Sequence, residues 1–288
     1  MDSIKVEALL TSLETGSILA ASEQMGYTAS GVNRMINALE QELGVTLLLR
    51  GRRGVELTPN GEMLLPLLRQ YRKCEEDIAQ LCSEINGIIR GNLRIGSFYS
   101  IAAHRLPRII DHFLEKYPGV HIQVVENATR ALAEMLRHNE LDFSFMIDPE
   151  DEELTFTPLM DVPLVVWVSK RDPLAKKSSV SLSDIATRPY ISRSPGRDHI
   201  ALQLMSHHNI APDIHYTTMD DYTAYRMVEN NLGISINNSL VSEKWSGDVL
   251  EKPLRPSQKI TVGLVVAKSA SLSPAARRFT QFAMQEMR

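Results

Sequence analysis

The feature that most restricts the fold is a run of apolar residues, Leu64, Leu67, Tyr71, Cys74, Ile78, Leu81, Ile85 and Ile88, at strictly alternating spacings of three and four. Only a helix brings these positions to one side, and a stripe this narrow over four heptads suits pairing with another helix. Globular helices usually dock on their own core through a wider face. Thr58 as cap and Pro59 at the first helical position open the element, predicting a helix from Pro59 to about Ile89, roughly 45 Å long. Arg69, Lys73, Glu75, Glu76 and Asp77 lie off the seam. Leu64, Leu67, Tyr71, Ile78, Leu81 and Ile85 are therefore the dimerisation candidates, with docking of the seam on the chain's own domain as the alternative. Such a helix, spanning 59–90, divides the 288 residues into a small N-terminal part, 1–58, and a larger one, 91–288.

The N-terminal part reads as short helices in quick succession. Val6, Leu9, Leu10 and Leu13 recur at helical spacing between Ser3, a potential cap, and Gly16. Ser17 caps a second helix that stops at Gly26, and Thr28 caps a third carrying Val32, Ile36, Leu39 and Leu43 on one face, ended by Gly44. Two helices joined by a turn of about four residues make a helix-turn-helix. Strands at Thr46–Arg50 and Val55–Thr58, joined through Gly51-Arg52-Arg53-Gly54, add a two-stranded wing.

The third helix opens with small and short polar residues. Thr28 and Ser30 would let it approach a groove closely, with first-turn N–H groups directed at phosphates. Asn33 and Arg34 follow a turn later, with chemistry suited to adenine and guanine edges respectively. Caps and solvated positions of an ordinary helical bundle are the alternative reading. With 31 Lys+Arg against 35 Asp+Glu and a net charge of -4, the chain is no cationic film for polyanions, so any DNA contact must come from a local patch. Arg50, Arg52 and Arg53 supply one, in a segment of 58 residues that is otherwise acidic. A wing so charged would meet the phosphate backbone as a positioning contact; a merely solvated loop is the alternative.

Beyond Gly91 the pattern becomes α/β. Leu93–Gly96, Val120–Glu126 and Asp142–Ile147 read as strands separated by helices at Leu106–Tyr117 and Ala131–His138. Further strands are expected at Leu164–Ser169, Pro189–Ser192, Ile214–Thr217, Gly233–Asn237 and Ile260–Ala267. Helices are expected near Asp198–His208, Tyr222–Asn230 and Pro274–Met287. In a parallel sheet covered on both faces the ligand crevice lies at the carboxyl ends of the strands.

Ala20-Ala21, the Thr28-x-Ser30-x-Val32-Asn33-x-x-Ile36-x-x-Leu39-Glu40 run, Glu42-Leu43-Gly44-Val45-x-Leu47 and Leu57-Thr58-Pro59-x-Gly61 resemble the signature of LysR-type transcriptional regulators. The likeness continues through Gly96, Leu106-Pro107, Phe113, Tyr117-Pro118, Leu141-Asp142 and Gly233-Ile234. It implies an α + α/β fold: a winged helix-turn-helix N-terminal domain, a long linker helix and a two-lobed, periplasmic-binding-protein-like sensor domain. Lobe 1 would comprise about 91–162 and 268–288, and lobe 2 about 163–267. The implied partners are double-stranded DNA, a second copy of the chain in a homodimer or homotetramer, RNA polymerase and a small polar or anionic effector. Ala29, Gly31 and Asn33 depart from the Gln, Ala and Ser common in the family, so an operator preference cannot be borrowed from relatives.

The matching loops of the family hold effectors through hydroxyls and backbone N–H groups. Here they contain Ser97, Tyr99 and Ser100 after the first strand and Thr129 after the second, with Arg193 as a cationic partner from lobe 2. Each could instead be a helix cap or a surface residue. The eight histidines form no HExxH, and neither a Walker lysine loop nor a GxSxG elbow occurs, so neither catalysis, a metal nor a cofactor is expected. A solute-binding or enzymatic α/β domain with a helical assembly module is the rival reading. Cys74 and Cys82, about 12 Å apart on one helix, cannot bridge, and no export signal or apolar membrane span is legible, which together suit the cytoplasm.

Overall fold

The computed structural model describes residues 1–51, 54–193 and 199–287. Three helices, α1 (Ser3–Thr15), α2 (Ile18–Met25) and α3 (Ala29–Leu43), open the chain. Each begins at a side-chain cap, Asp2, Ser17 or Thr28, and ends at a left-handed glycine, Gly16, Gly26 or Gly44. The cap of α1 is Asp2 rather than the expected Ser3, since it is the Asp2 carboxylate that accepts from the Ile4 N–H. Val6, Leu9, Val32, Ile36, Leu39 and Leu47 are fully buried in the core that these helices share.

Strands β1 (Leu48–Gly51) and β2 (Gly54–Leu57) pair antiparallel, Leu48 opposite Leu57. The wing is seated on the α1–α2 turn, where the Val55 N–H donates to the Gly16 carbonyl at 3.2 Å. Gly54 has φ +107°, and a Cβ there would come within 2.2 Å of that same carbonyl oxygen, so a side chain is excluded. At the root of the wing the Glu40 carboxylate accepts from the Leu47 and Leu48 N–H groups at 2.7 and 3.1 Å.

Helix α4 (Pro59–Ile85) follows, with Thr58 as its cap. It runs on through Pro66 and stops short of the expected Ile89, because β3 (Arg90–Ser97) must begin and the left-handed Gly87 makes the turn. Its two faces are opposite in character. The polar face lies on the chain's own sensor domain: Arg69 pairs with Glu140, Lys73 with Asp142, and Glu84 with Arg277 and Arg278. The apolar seam points away, with Leu67, Ile78, Leu81 and Ile85 each at least 47% exposed and Tyr71 37%. Only its first residue, Leu64, packs on the core of the head.

After β3 come α5 (Tyr99–His104), α6 (Leu106–Lys116), β4 (Gly119–Glu126), α7 (Thr129–Arg137), β5 (Phe143–Ile147) and the 16-residue β6 (Leu154–Ser169). The chain continues through β7 (Val180–Ser181), α8 (Leu182–Ile185), β8 (Pro189–Arg193), α9 (His199–His207), β9 (Asp213–Thr218) and α10 (Asp221–Glu229). It closes with β10 (Ser235–Asn238), β11 (Val249–Arg255), β12 (Lys259–Ala267) and α11 (Pro274–Glu286).

The main sheet runs β4-β3-β5-β12-β6-β11-β7, with β10 also on β6, while β8 and β9 pair separately. It is mixed rather than parallel: β3 is parallel to β4 and β5, but β12 is antiparallel to β5 and β6. The first half of β6 pairs with β12 and the second with β10 and β11, so this one strand passes between the lobes. Sequence pattern alone predicts only Leu164–Ser169, whereas the strand begins at Leu154 and runs through Pro158 and Pro163. Pro158 is accommodated at a bulge, where the register shifts between Val262 and Gly263. Strand β12 pairs with β5 from Val262 to Val265, so that stretch of the chain lies in the sheet of the first lobe. Helix α11 packs on that lobe, Phe279 meeting Phe113 and Phe143 at centroid distances of 4.9 and 5.7 Å.

Candidate DNA interface and effector cavity

Ser30, Asn33, Arg34 and Asn37 share one side of α3 by helical spacing. Thr28 and Ser30 are exposed and their hydroxyls meet at 3.2 Å, while Thr28 Oγ1 also accepts from the Gly31 N–H at 3.1 Å. Thr28 is therefore both cap and surface residue. Arg34 is exposed, whereas Asn33 is half-buried and its Oδ1 is sealed from solvent with no hydrogen-bond partner among the described residues. In that rotamer Asn33 does not offer the two-sided amide that an adenine edge requires.

Arg50 lies on β1 opposite Val55, one pair from the turn of the wing, with its guanidinium turned onto α3. Its Nη2 donates to Asn37 Oδ1 at 2.6 Å and lies 3.4 Å from Glu40 Oε2. This arginine, expected as a phosphate contact, braces strand β1 against the recognition helix. Arg52 and Arg53 lie outside the described residues. Asn37 was not singled out by the sequence pattern; its spacing of one turn beyond Asn33 was the available signal.

A cavity of about 1040 Å³ opens between the two lobes, ample for a small molecule. Lobe 1 contributes Tyr99 and Ser100 from α5 and Thr129 from α7; lobe 2 contributes Arg193, Asp221 and Asn237. Ser100 Oγ and both amide atoms of Asn237 are buried and have no hydrogen-bond partner among the described residues. Unpaired buried groups of this kind cost about 1–3 kcal/mol each, which a ligand could offset. The Phe98 and Ala128 positions that cap α5 and α7 carry no side-chain oxygen, so no side chain caps these helices at the cavity wall.

Arg193 arrives already paired: it donates to Asp221 Oδ1 at 2.8 Å and to the Ile236 carbonyl at 3.2 Å. Asp221 and Asn237 escaped the sequence analysis, the only signal for the second being an amide at the end of an apolar strand. Ser97, by contrast, lies away from the cavity lining. Its fully buried hydroxyl donates to the Phe98 carbonyl at 3.1 Å, and it does not line the cavity. Its position inward on β3, before the chain bends into α5, is the reason. Tyr99 packs its ring 5.9 Å from Trp245 across the lobes, and burial pushes its phenol pKa up against the opposing Trp245 hydrogen bond.

A winged head carried by a long helix on a two-lobed domain with a polar cavity defines a DNA-binding regulator with a sensor for small molecules. The model for the bacterial regulatory helix-turn-helix protein, lysR family, matches residues 5–62, and that for the LysR substrate binding domain matches 86–288. The chain belongs to the LysR-type transcriptional regulators. The uncharacterized HTH-type transcriptional regulator YvbU of Bacillus subtilis (strain 168) is 27% identical to it over 275 residues, 94% of each chain. Full-length CbnR complexed with its target DNA shares the fold, with a TM-score of 0.70 at 19% identity, covering 99% of this chain and 100% of that one. The effector binding domain of QuiR in complex with shikimate superposes with a TM-score of 0.62 at 27% identity, over 69% of this chain and 97% of that one. Among the described residues no helix is long and apolar enough to cross a membrane, and no group of three or more His, Cys, Asp or Glu is placed to hold a metal ion.

Proposed function

We propose that this regulator acts in the cytoplasm as a symmetric oligomer, built through the exposed seam of α4, that binds paired operator half-sites and responds to a small polar, anionic effector in the interlobe cavity. The observation that carries the sensing role is the buried, unpartnered polar pair Ser100 and Asn237 in the cavity wall. The uncapped starts of α5 and α7 favour an anionic group beside them, since helix N-termini carry partial positive charge. The QuiR domain's complex with shikimate, a hydroxylated carboxylate, supports the same class of ligand. A dimer would place two heads on half-sites about 34 Å apart or a multiple of that.

The test is a thermal-shift screen of the full-length protein against small carboxylates and their neutral amides, followed by footprinting on its own upstream DNA. A ligand at 100 times its Kd should raise stability by about 2.7 kcal/mol and alter the footprint. A carboxylate that stabilises parent protein and Ser100→Leu, Asn237→Leu equally would place its site elsewhere.

A further inference from the structure

Asn37 lies on the side of α3 that also carries Ser30, Asn33 and Arg34, and its amide is not free to turn. A guanidinium has only donors, so the 2.6 Å contact with Arg50 Nη2 must be made by Asn37 Oδ1. Glu40 keeps Arg50 where it is: one carboxylate oxygen lies 3.4 Å from the same Nη2, and the other accepts the Leu47 and Leu48 N–H groups at the foot of the wing. The bridge thus orients the Asn37 amide, with Oδ1 turned to Arg50 and Nδ2 on the opposite arm. Its Nδ2, which is not among the buried unpartnered atoms, has no hydrogen-bond partner among the described residues.

We infer that Asn37 is a specificity-determining residue that reads DNA as a donor only, selecting a keto base and rejecting an amino base at one position of the half-site. In the major groove guanine O6 and thymine O4 are acceptors, whereas adenine N6 and cytosine N4 are donors. An amide with both groups available pairs with adenine through N6 and N7. With Oδ1 held by Arg50, the remaining Nδ2 matches O6 or O4 and meets N6 or N4 donor to donor. The wing strand therefore sets which base the recognition helix can accept, without touching that base itself. The inference rests on α3 being the DNA-reading helix.

In vitro selection from a randomised duplex library, using the full-length protein, tests it with three variants. The parent should enrich a motif containing one guanine or thymine whose preference, about tenfold, is lost in Asn37→Ala while the remaining positions persist. Asn37→Asp keeps the bridge to Arg50 but turns an acceptor outward, so the same position should change to cytosine or adenine. Arg50→Met releases Oδ1 and should bring adenine in; its melting temperature is measured alongside, because the wing loses a brace. A motif identical in parent, Asn37→Ala and Asn37→Asp overturns the inference while leaving DNA reading intact, and so does an adenine or cytosine at the position that Asn37→Ala relaxes. A parent that enriches no motif, yet retains thermal stability, overturns the DNA-reading function and this inference with it.

Discussion

The helix starts of the DNA-binding head and those of α5 and α7 in the sensor cleft follow opposite rules. In the head, Asp2, Ser17 and Thr28 each place a side-chain oxygen on first-turn N–H groups, and a left-handed glycine closes each helix. In the cleft, α5 and α7 begin after Phe98 and Ala128, which make no side-chain cap, and beside them Ser100 and Asn237 have buried polar atoms without partners among the described residues. The head caps its helices locally; the cleft leaves these two helix starts without a side-chain cap. The seam of α4 makes the same contrast in apolar terms, since its polar face is paired within the chain and its apolar face is bare.

The largest expected effect strikes that bare face. Ile78→Asp places a charge in the seam and should weaken self-association about 100-fold or more, read by sedimentation velocity, with the far-ultraviolet helical signal retained. An unchanged dimer would show that another surface joins the copies. Next comes the cleft: Asn237→Leu removes an unsatisfied buried amide and should stabilise the protein by about 1 kcal/mol while abolishing the effector response, measured by denaturant midpoint and footprint. Loss of stability instead would mean that the amide is satisfied in solution.

Capping itself can be exchanged between the regions. Thr28→Ala should cost about 1 kcal/mol, whereas Ala128→Ser should gain about 0.5 kcal/mol and weaken anionic effectors by supplying the oxygen that the ligand otherwise brings. The smallest effect concerns Asp77 on α4, where burial holds the carboxyl above its ordinary range despite Lys73 nearby. A folded-state pKa above the unfolded one means that stability is lost as pH rises from the ordinary carboxylate value through the raised one. Asp77→Asn should flatten the pH dependence of the unfolding midpoint in that window and leave it unchanged at lower pH.

Much of this was legible because it is local. Gly16, Gly26 and Gly44 with the caps before them delimit the head helices, and the spacing of Leu64 to Ile85 gives α4 and its seam. What escaped was decided at a distance. Pro158 hid the first half of β6, since only the partner strand β12 can absorb the bulge it needs. Ser97 and Ser100 look alike in the loop, but the bend into α5 turns one hydroxyl to a neighbouring carbonyl and the other into the cavity.

The sequence by itself determined the division into head, linker helix and sensor, because capping, helical period and strand alternation depend on near neighbours along the chain. Only the tertiary structure decided that Asn237 and Ser100 line one cavity from opposite lobes, and that Arg50 belongs to Asn37 and Glu40. Those pairings join residues 137, 13 and 10 positions apart, and no local energy selects them; the packing of whole elements does.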